Sequence, residues 1–256
     1  MWLRLRQIAL IVANADAVAA DLGSVFGLEV AFIDEHLPGA FGLQNRLMPV
    51  GTQFIEICSP VRENTAGGRY LERRGGDGGY MVICQCDDHA PRKARVKELG
   101  IRVVAARDTE TSCLMQLHPQ DTGGSFLEID WHAGPDDDPP LWTHAIRGEW
   151  WKKSHTDRVK AIVAAEIQDA DPGALAQRWS DIIEEPVTRD ADGNPVIVID
   201  NATLRFVPCA DGRPAGLGGL DLAVADRGAV VSAATERGVL GVDGVIRIGG
   251  MRFRLV

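Results

Sequence analysis

Two short segments, Phe54-Ile55-Glu56-Ile57 and Phe126-Leu127-Glu128-Ile129, are almost the same, and each closes a stretch with the same order of elements. A repeat of this kind constrains the fold strongly, because one small unit cannot bury its apolar face alone and has to pack against another copy. In the first copy, residues 3–12 read as a strand. A helix follows with Asp16 as N-cap and Gly27 as its stop, and then three strands at 29–34, 43–50 and 52–60. In the second copy, a strand at 79–86 leads into a helix with Asp87 or Asp88 as N-cap and Gly100 as C-cap, then strands at 101–110, 112–119 and 125–131. The pattern recurs twice after residue 157. One copy has a helix from Asp171, with Pro172 in its first turn, and a hairpin around Asp192–Gly193; the other has a helix over 227–239. The expected class is α+β. Four βαβββ modules pair into two domains, 1–134 and 157–256, joined by a Pro- and Asp-rich connector at 135–156. Its tryptophans, Trp142, Trp150 and Trp151, need something to pack on.

The formal net charge of -9 argues against a nucleic-acid partner or an anionic membrane surface, both of which select basic patches. No apolar run approaches the roughly 18 residues that span a bilayer. The start, "LRLRQIALIV", reads as a strand and not as a leader, so a cytoplasmic protein, monomer or homodimer, is expected. Five cysteines at irregular spacing, with no C-x-x-C pair, do not make a disulfide framework. In "GYMVICQCDD", Cys84 and Cys86 share a face with Tyr80 and Val82 and read as packing residues.

Strand alternation sorts the polar residues. Gln7 falls on one face with Leu5, Ala9 and Ile11, and Glu56 with Phe54 and Cys58. Glu128 falls with Phe126 and Asp130, and Met81 with Ile83 and Gln85. A carboxylate buried unpaired in an apolar strand is costly. Two of them at equivalent repeat positions call for one explanation. The simplest is a cation between them; the other is partial solvation or pairing with a loop arginine.

The segments "QIALIVANADAVAADLGSVFGLEV", "TQFIEICSP" and "HPQDTGGSFLEIDW" resemble the vicinal oxygen chelate superfamily, which includes glyoxalase I, methylmalonyl-CoA epimerase, extradiol dioxygenases and bleomycin resistance proteins. The likeness covers most of residues 3–133; over 157–256 it rests on element order alone. It implies open-sided barrels from paired modules and a divalent metal (Zn, Ni, Mn, Fe or Mg) held by the first and last strands of each module, or no metal in the binding-protein branch. Carried over residue by residue, Gln7, Glu56 and Glu128 become candidate metal ligands, and Glu56 and Glu128 the candidate catalytic pair. The fourth position falls on Met81, with Tyr80 as the alternative register, where such proteins most often have histidine. Leu5, Phe54, Met81, Ile83, Gln85, Phe126 and His132 become the candidate ligand pocket. The matching positions of the second domain fall on Ile162, Phe206, Gly219 and Arg254, which cannot hold a metal and imply a bracing role.

Two function classes follow. One is a metal-dependent isomerase, epimerase or lyase acting on a small oxygenated molecule. The other is a metal-free protein that sequesters a small molecule in the same cavity. An interaction module built on the connector tryptophans is a third possibility. His118 and His132 are rim candidates; His36, His89, His144 and His155 read as solvated or structural. The run "GGRYLERRGGDGG" lacks the strand-to-helix context of a phosphate loop. It reads as a flexible lid or linker between modules, with Arg69, Arg73 or Arg74 as an alternative anion-attracting group.

Overall fold

The computed structural model describes residues 1–134 and 149–256. The first half runs β1 (Leu3–Ile11), α1 (Ala15–Phe26), the short α2 (Leu37–Phe41), β2 (Leu43–Val50), β3 (Gln53–Pro60), α3 (Ala66–Arg74), β4 (Gly78–Cys86), α4 (His89–Glu98), β5 (Val103–Asp108), β6 (Ser112–Leu117) and β7 (Phe126–His132). A 3-10 turn, Trp150–Lys153, precedes the second half. That half runs β8 (Val159–Asp169), α5 (Pro172–Ile183), β9 (Val187–Arg189), β10 (Pro195–Ile199), β11 (Ala202–Pro208), β12 (Gly216–Val224), α6 (Arg227–Glu236), β13 (Ile246–Ile248) and β14 (Met251–Leu255).

Each half is one seven-stranded mixed sheet, in the orders β2-β3-β1-β4-β7-β6-β5 and β13-β14-β12-β8-β11-β10-β9. The first strands of two modules meet antiparallel at the centre, and each is flanked by its own module's last strand in parallel. The four long helices begin on Asn14, Asp88, Asp171 and Asp226, whose side chains each accept a backbone N–H of the first turn. The first cap is therefore Asn14 and not Asp16. The residue seven before each cap is Gln7, Met81, Ala164 and Gly219. These four pair with Phe54, Phe126, Thr203 and Arg252 on the adjacent last strands. The repeat thus holds in register as well as in order.

Three expectations change. Residues 29–34 do not form a strand. Only Phe32 bridges to Leu47, and the Asn45 side chain accepts the Asp34 N–H, taking the place of the next ladder bond. The glycine-rich run is not a flexible linker: Thr65 caps α3 by accepting the Gly68 N–H. A Cβ at Gly67 would sit 2.9 Å from Leu43 and 3.1 Å from Ile11, so the missing side chain lets the helix close on the sheet. Third, β1 bulges at Arg6. The Asn201 amide takes both the N–H and the C=O of Leu5, and one residue then goes unmatched in the ladder.

One core fills the helix side of both sheets. Phe26 of α1 meets Phe253 of β14 at 5.1 Å between ring centroids. Burying each such side chain contributes about 1.5–3 kcal/mol. The halves are also stitched by hydrogen bonds. The Gln53 side chain accepts from the Ile162 N–H and donates to its carbonyl, and Arg74 donates to the carbonyls of Pro214 and Leu217. In the connector, Trp150 lies edge-on to Phe54 at 4.7 Å, which meets the need for a packing partner. Trp142 and His144 lie outside the described residues.

Candidate functional site

The site is built on the face of the first sheet turned away from that core. Trp150 closes one end over Phe54 and Leu47, and α3 closes the other through Tyr70, packed on Ile11 and Cys58. Between them Ala9, Met81, Ile83 and Phe126 form an apolar floor. Glu56 rises from β3 and Glu128 from β7.

Glu56 is held on both oxygens. Gln7 Nε2 donates to Oε2 at 2.8 Å and Asn45 Nδ2 donates to Oε1 at 2.7 Å. Burial raises its pKa, against the donors Asn45, Cys58 and Gln7, which pull it down. Glu128 is 4% exposed. Gln116 and the Asp130 carboxyl bond toward it, yet its Oε2 has no partner among the described residues. Burial pushes both Glu128 and Asp130 up. Each carboxyl also opposes ionisation of a neighbour, Glu56 acting on Glu128 and Glu128 on Asp130, so the pair keeps a proton. Next on the same face of β7, burial and the charges of Arg107 and Arg6 press His132 down to about 4, which leaves the ring neutral near pH 7.

Register places the sequence candidates. Met81 pairs with Phe126 as Gln7 pairs with Phe54, so Met81 stands at the fourth position. The ambiguity with Tyr80 has a physical source. β4 bulges between the partners of Ala9 and Leu10, and Tyr80 swings toward the same face, where it meets Phe126 and Tyr70 at 4.8 and 4.9 Å. Phe54, Ile83, Gln85 and His132 are buried on the site side of the sheet, and Gln85 accepts from Arg6 Nε at 2.6 Å. Leu5 does not line the pocket. The bulge at Arg6 reverses the alternation, and Leu5 lies in the helix-side core. Asn45, Gln116, Arg6 and Arg107 went unnoticed in the sequence. Asn45 was findable, because it alternates with Leu47 on a strand beside Glu56. Cys84 and Cys86 are buried against the helices, and burial raises both thiols to about 12.

The oxygen donors suit a hard or borderline divalent ion. Glu128 Oε2 is a buried oxygen without a partner among the described residues, and Gln7, with its amide nitrogen on Glu56, can turn its carbonyl oxygen to an ion. The Met81 position leaves room for water or substrate, as catalytic ions require. A separate group, His89, Asp108 and Cys113, brings three donor atoms within 4.8 Å of one another. There Lys93 already pairs with Asp108, and the His89 ring meets the Ile129 carbonyl.

On the site-side face of the second sheet, the expected positions Ile162 and Phe206 are wrong: both lie in the core. β8 has eleven residues against nine in β1 and slips register between Ile162 and Ala164, and an offset of one on β11 turns a side chain to the other face. The equivalent residues are Ala164, Arg205, Gly219 and Arg254. Glu166 fills the centre, paired with Arg205, Arg252 and Arg254 at 3.2, 2.9 and 2.8 Å.

The family model of a glyoxalase-like domain matches residues 4–183. The chain belongs to the glyoxalase-like domain family. This membership and the paired-module sheets fit the vicinal oxygen chelate superfamily. A hypothetical protein from Staphylococcus aureus aligns with the glyoxalase-like chain over 99% of both chains, at TM-score 0.67 and 13% identity. A mutant of 4-hydroxymandelate synthase from Streptomyces coelicolor aligns with 92% of this chain and 75% of its own, at TM-score 0.65 and 15% identity. Both likenesses concern the fold. Methylmalonyl-CoA epimerase from Mycobacterium tuberculosis covers 51% of this chain and 89% of its own, at TM-score 0.44 and 23% identity. No curated protein matches the sequence. Among the described residues, no helix is long and apolar enough to cross a membrane.

Proposed function

We propose that this glyoxalase-like protein is a divalent-metal-dependent isomerase, epimerase or lyase acting on a small oxygenated molecule, with Glu56 and Glu128 as its working carboxyls. One observation carries the reading. Two glutamates at equivalent repeat positions share one sheet face, one clamped by Gln7 and Asn45 and the other with a buried, unpartnered oxygen. Gln7, Glu56 and Glu128 would hold the ion, which when bound polarises a substrate carbonyl. Of the two glutamates, Glu128 is the one free to move a proton, because both oxygens of Glu56 are held by amides. Having released its own proton and left the ion, the Glu128 carboxylate would take the proton from the carbon beside the carbonyl and return it to that or a neighbouring atom. Ala9, Met81, Ile83 and Phe126 keep water from the substrate's apolar side.

A second reading, metal-free binding of a small molecule in the same cavity, is favoured by the thioether of Met81 and by the amide bonds that already satisfy Glu56. Metal analysis of protein purified without chelator, with melting curves under added zinc, nickel, manganese or magnesium, separates the two. The metal-dependent reading expects near-stoichiometric ion, or a rise in Tm that the Glu56→Gln, Glu128→Gln double variant loses. Neither ion nor any rise in Tm would leave the binding reading.

A further inference from the structure

Beside Phe126 the site face opens into a cavity of about 820 Å³, the size of a pocket for a small organic molecule. We infer that this cavity binds an organic anion with a flat, unsaturated body. The inference rests on the proposed function only in taking that anion for the substrate; the binding itself is independent of it.

The cavity is selected for charge. The chain has 36 acidic and 27 basic side chains, yet among the described residues the cavity wall carries Arg69, Arg73 and Arg74 together with His118, and no Asp or Glu. All three arginines come from α3. Arg69 and Arg73 stand one helical turn apart, where like charges repel, and both are exposed with no carboxylate partner among the described residues. Arg69 reaches only the Asn64 carbonyl, at 2.8 Å.

Arg74 supplies the independent observation. It is 2% exposed, and its Nη atoms donate to the carbonyls of Pro214, Ala215 and Leu217; among the described residues its Nε has no partner and no carboxylate bonds to it, Asp211 acting only from a distance. A buried guanidinium with no directly bonded counter-ion is costly. Its bonds to the second half account for its position, and the α3 C-terminus favours nearby cations. Neither accounts for two further unneutralised arginines on the same wall. An anion in the cavity meets the exposed charges of Arg69 and Arg73, whose planar guanidinium forks suit a carboxylate or phosphate, while Arg74, its Nη atoms spent on carbonyls, adds attraction at longer range.

The rest of the wall describes the ligand's body. Tyr70, Tyr80 and Phe126 form a continuous aromatic surface, and the bulge in β4 is what brings Tyr80 into it. Gly123, Gly124, Pro214 and Ala215 also line the cavity and present backbone and small side chains to a flat molecule.

The test is calorimetric titration of chelator-treated, full-length protein with benzoate, cinnamate and 2-naphthoate, each against its uncharged amide, and with inorganic phosphate. At least one acid is expected to bind, its amide to bind far more weakly, and added salt to reduce affinity. Arg73→Gln and Arg69→Gln, on exposed positions that leave the fold intact, should each weaken binding about tenfold. Tyr80→Ala should weaken the acids and leave phosphate unchanged. Acids that bind no better than their amides, or that bind the double arginine variant as tightly as wild type, overturn the anion site. Phosphate binding as tightly as the best acid overturns the aromatic part. Because the protein is metal-free here, loss of the metal-dependent reading would not alter these outcomes.

Discussion

The two halves share one topology and put opposite charges at the same places. Two residues beyond the strand position marked by Gln7, Met81, Ala164 and Gly219, the last strands carry Glu56 and Glu128 in the first half and Arg205 and Arg254 in the second. In the first half, the carboxyls face an apolar floor and one keeps an unpartnered oxygen. In the second, Glu166 stands among Arg205, Arg252 and Arg254, while Asp221 and Asp211 take further bonds from Arg205 and Arg252. A Cβ at Gly219 would come within 2.9 Å of the Arg252 carbonyl and 3.1 Å of Glu166 Oε1, so glycine makes room for the cluster. The same sheet face can hold a ligand or be filled by its own side chains, and a few residues decide which.

Breaking the filled half should be costly. Glu166→Ala takes the shared carboxylate from Arg205 and Arg252, which keep Asp221 and Asp211, and from the exposed Arg254, and is expected to lose about 3 kcal/mol, read from urea unfolding. An unchanged midpoint would mean that the cluster is solvated and the two faces are less different than they look. Trp150→Ala opens the end of the first half's face over Phe54 and should cost about 3 kcal/mol by the same measurement. Gly219→Ala crowds the ion cluster and is expected to cost about 1–3 kcal/mol.

The smallest effect sharpens the contrast by its sign. The raised pKa of Glu128 means that the folded chain binds a proton which the unfolded chain has released. That contribution is complete below the ordinary value of 4.5 and is lost as pH rises through the raised one. Chelator-treated wild type should therefore weaken relative to Glu128→Gln between about pH 4.5 and 8, by about 1–3 kcal/mol at the upper end. Melting curves across that range check it; a variant that is less stable at every pH would show Glu128 to be an ordinary satisfied carboxylate.

Much of this was readable in the chain because it is local. Period-two alternation sorted the face of Gln7, Glu56, Met81 and Glu128 within each strand, the family resemblance brought the four together, and the caps at Asp88 and Asp171 phased their helices. What escaped depends on departures from regular alternation. The bulge at Arg6 moved Leu5 into the core, and the one at Tyr80 brought a tyrosine to the site face. The fold of α3 was hidden by its glycines, since Gly67 matters only through its closeness to Leu43 and Ile11. Glu166 and Arg205 did leave a signal, a lone charge in each of two apolar strands, but only their pairing in register reveals that the charges meet.

The sequence by itself determined a fourfold repeat of strand, helix and strands, and equivalent repeat positions for the paired glutamates, because side-chain period and helix caps act over a few residues. Only the tertiary structure decided which of the two sheet faces stays open. Charge neutralisation, the unpartnered oxygen of Glu128 and the arginine-lined cavity all depend on side chains far apart in the chain, and their energies exist only once the strands are aligned and the water between them is gone.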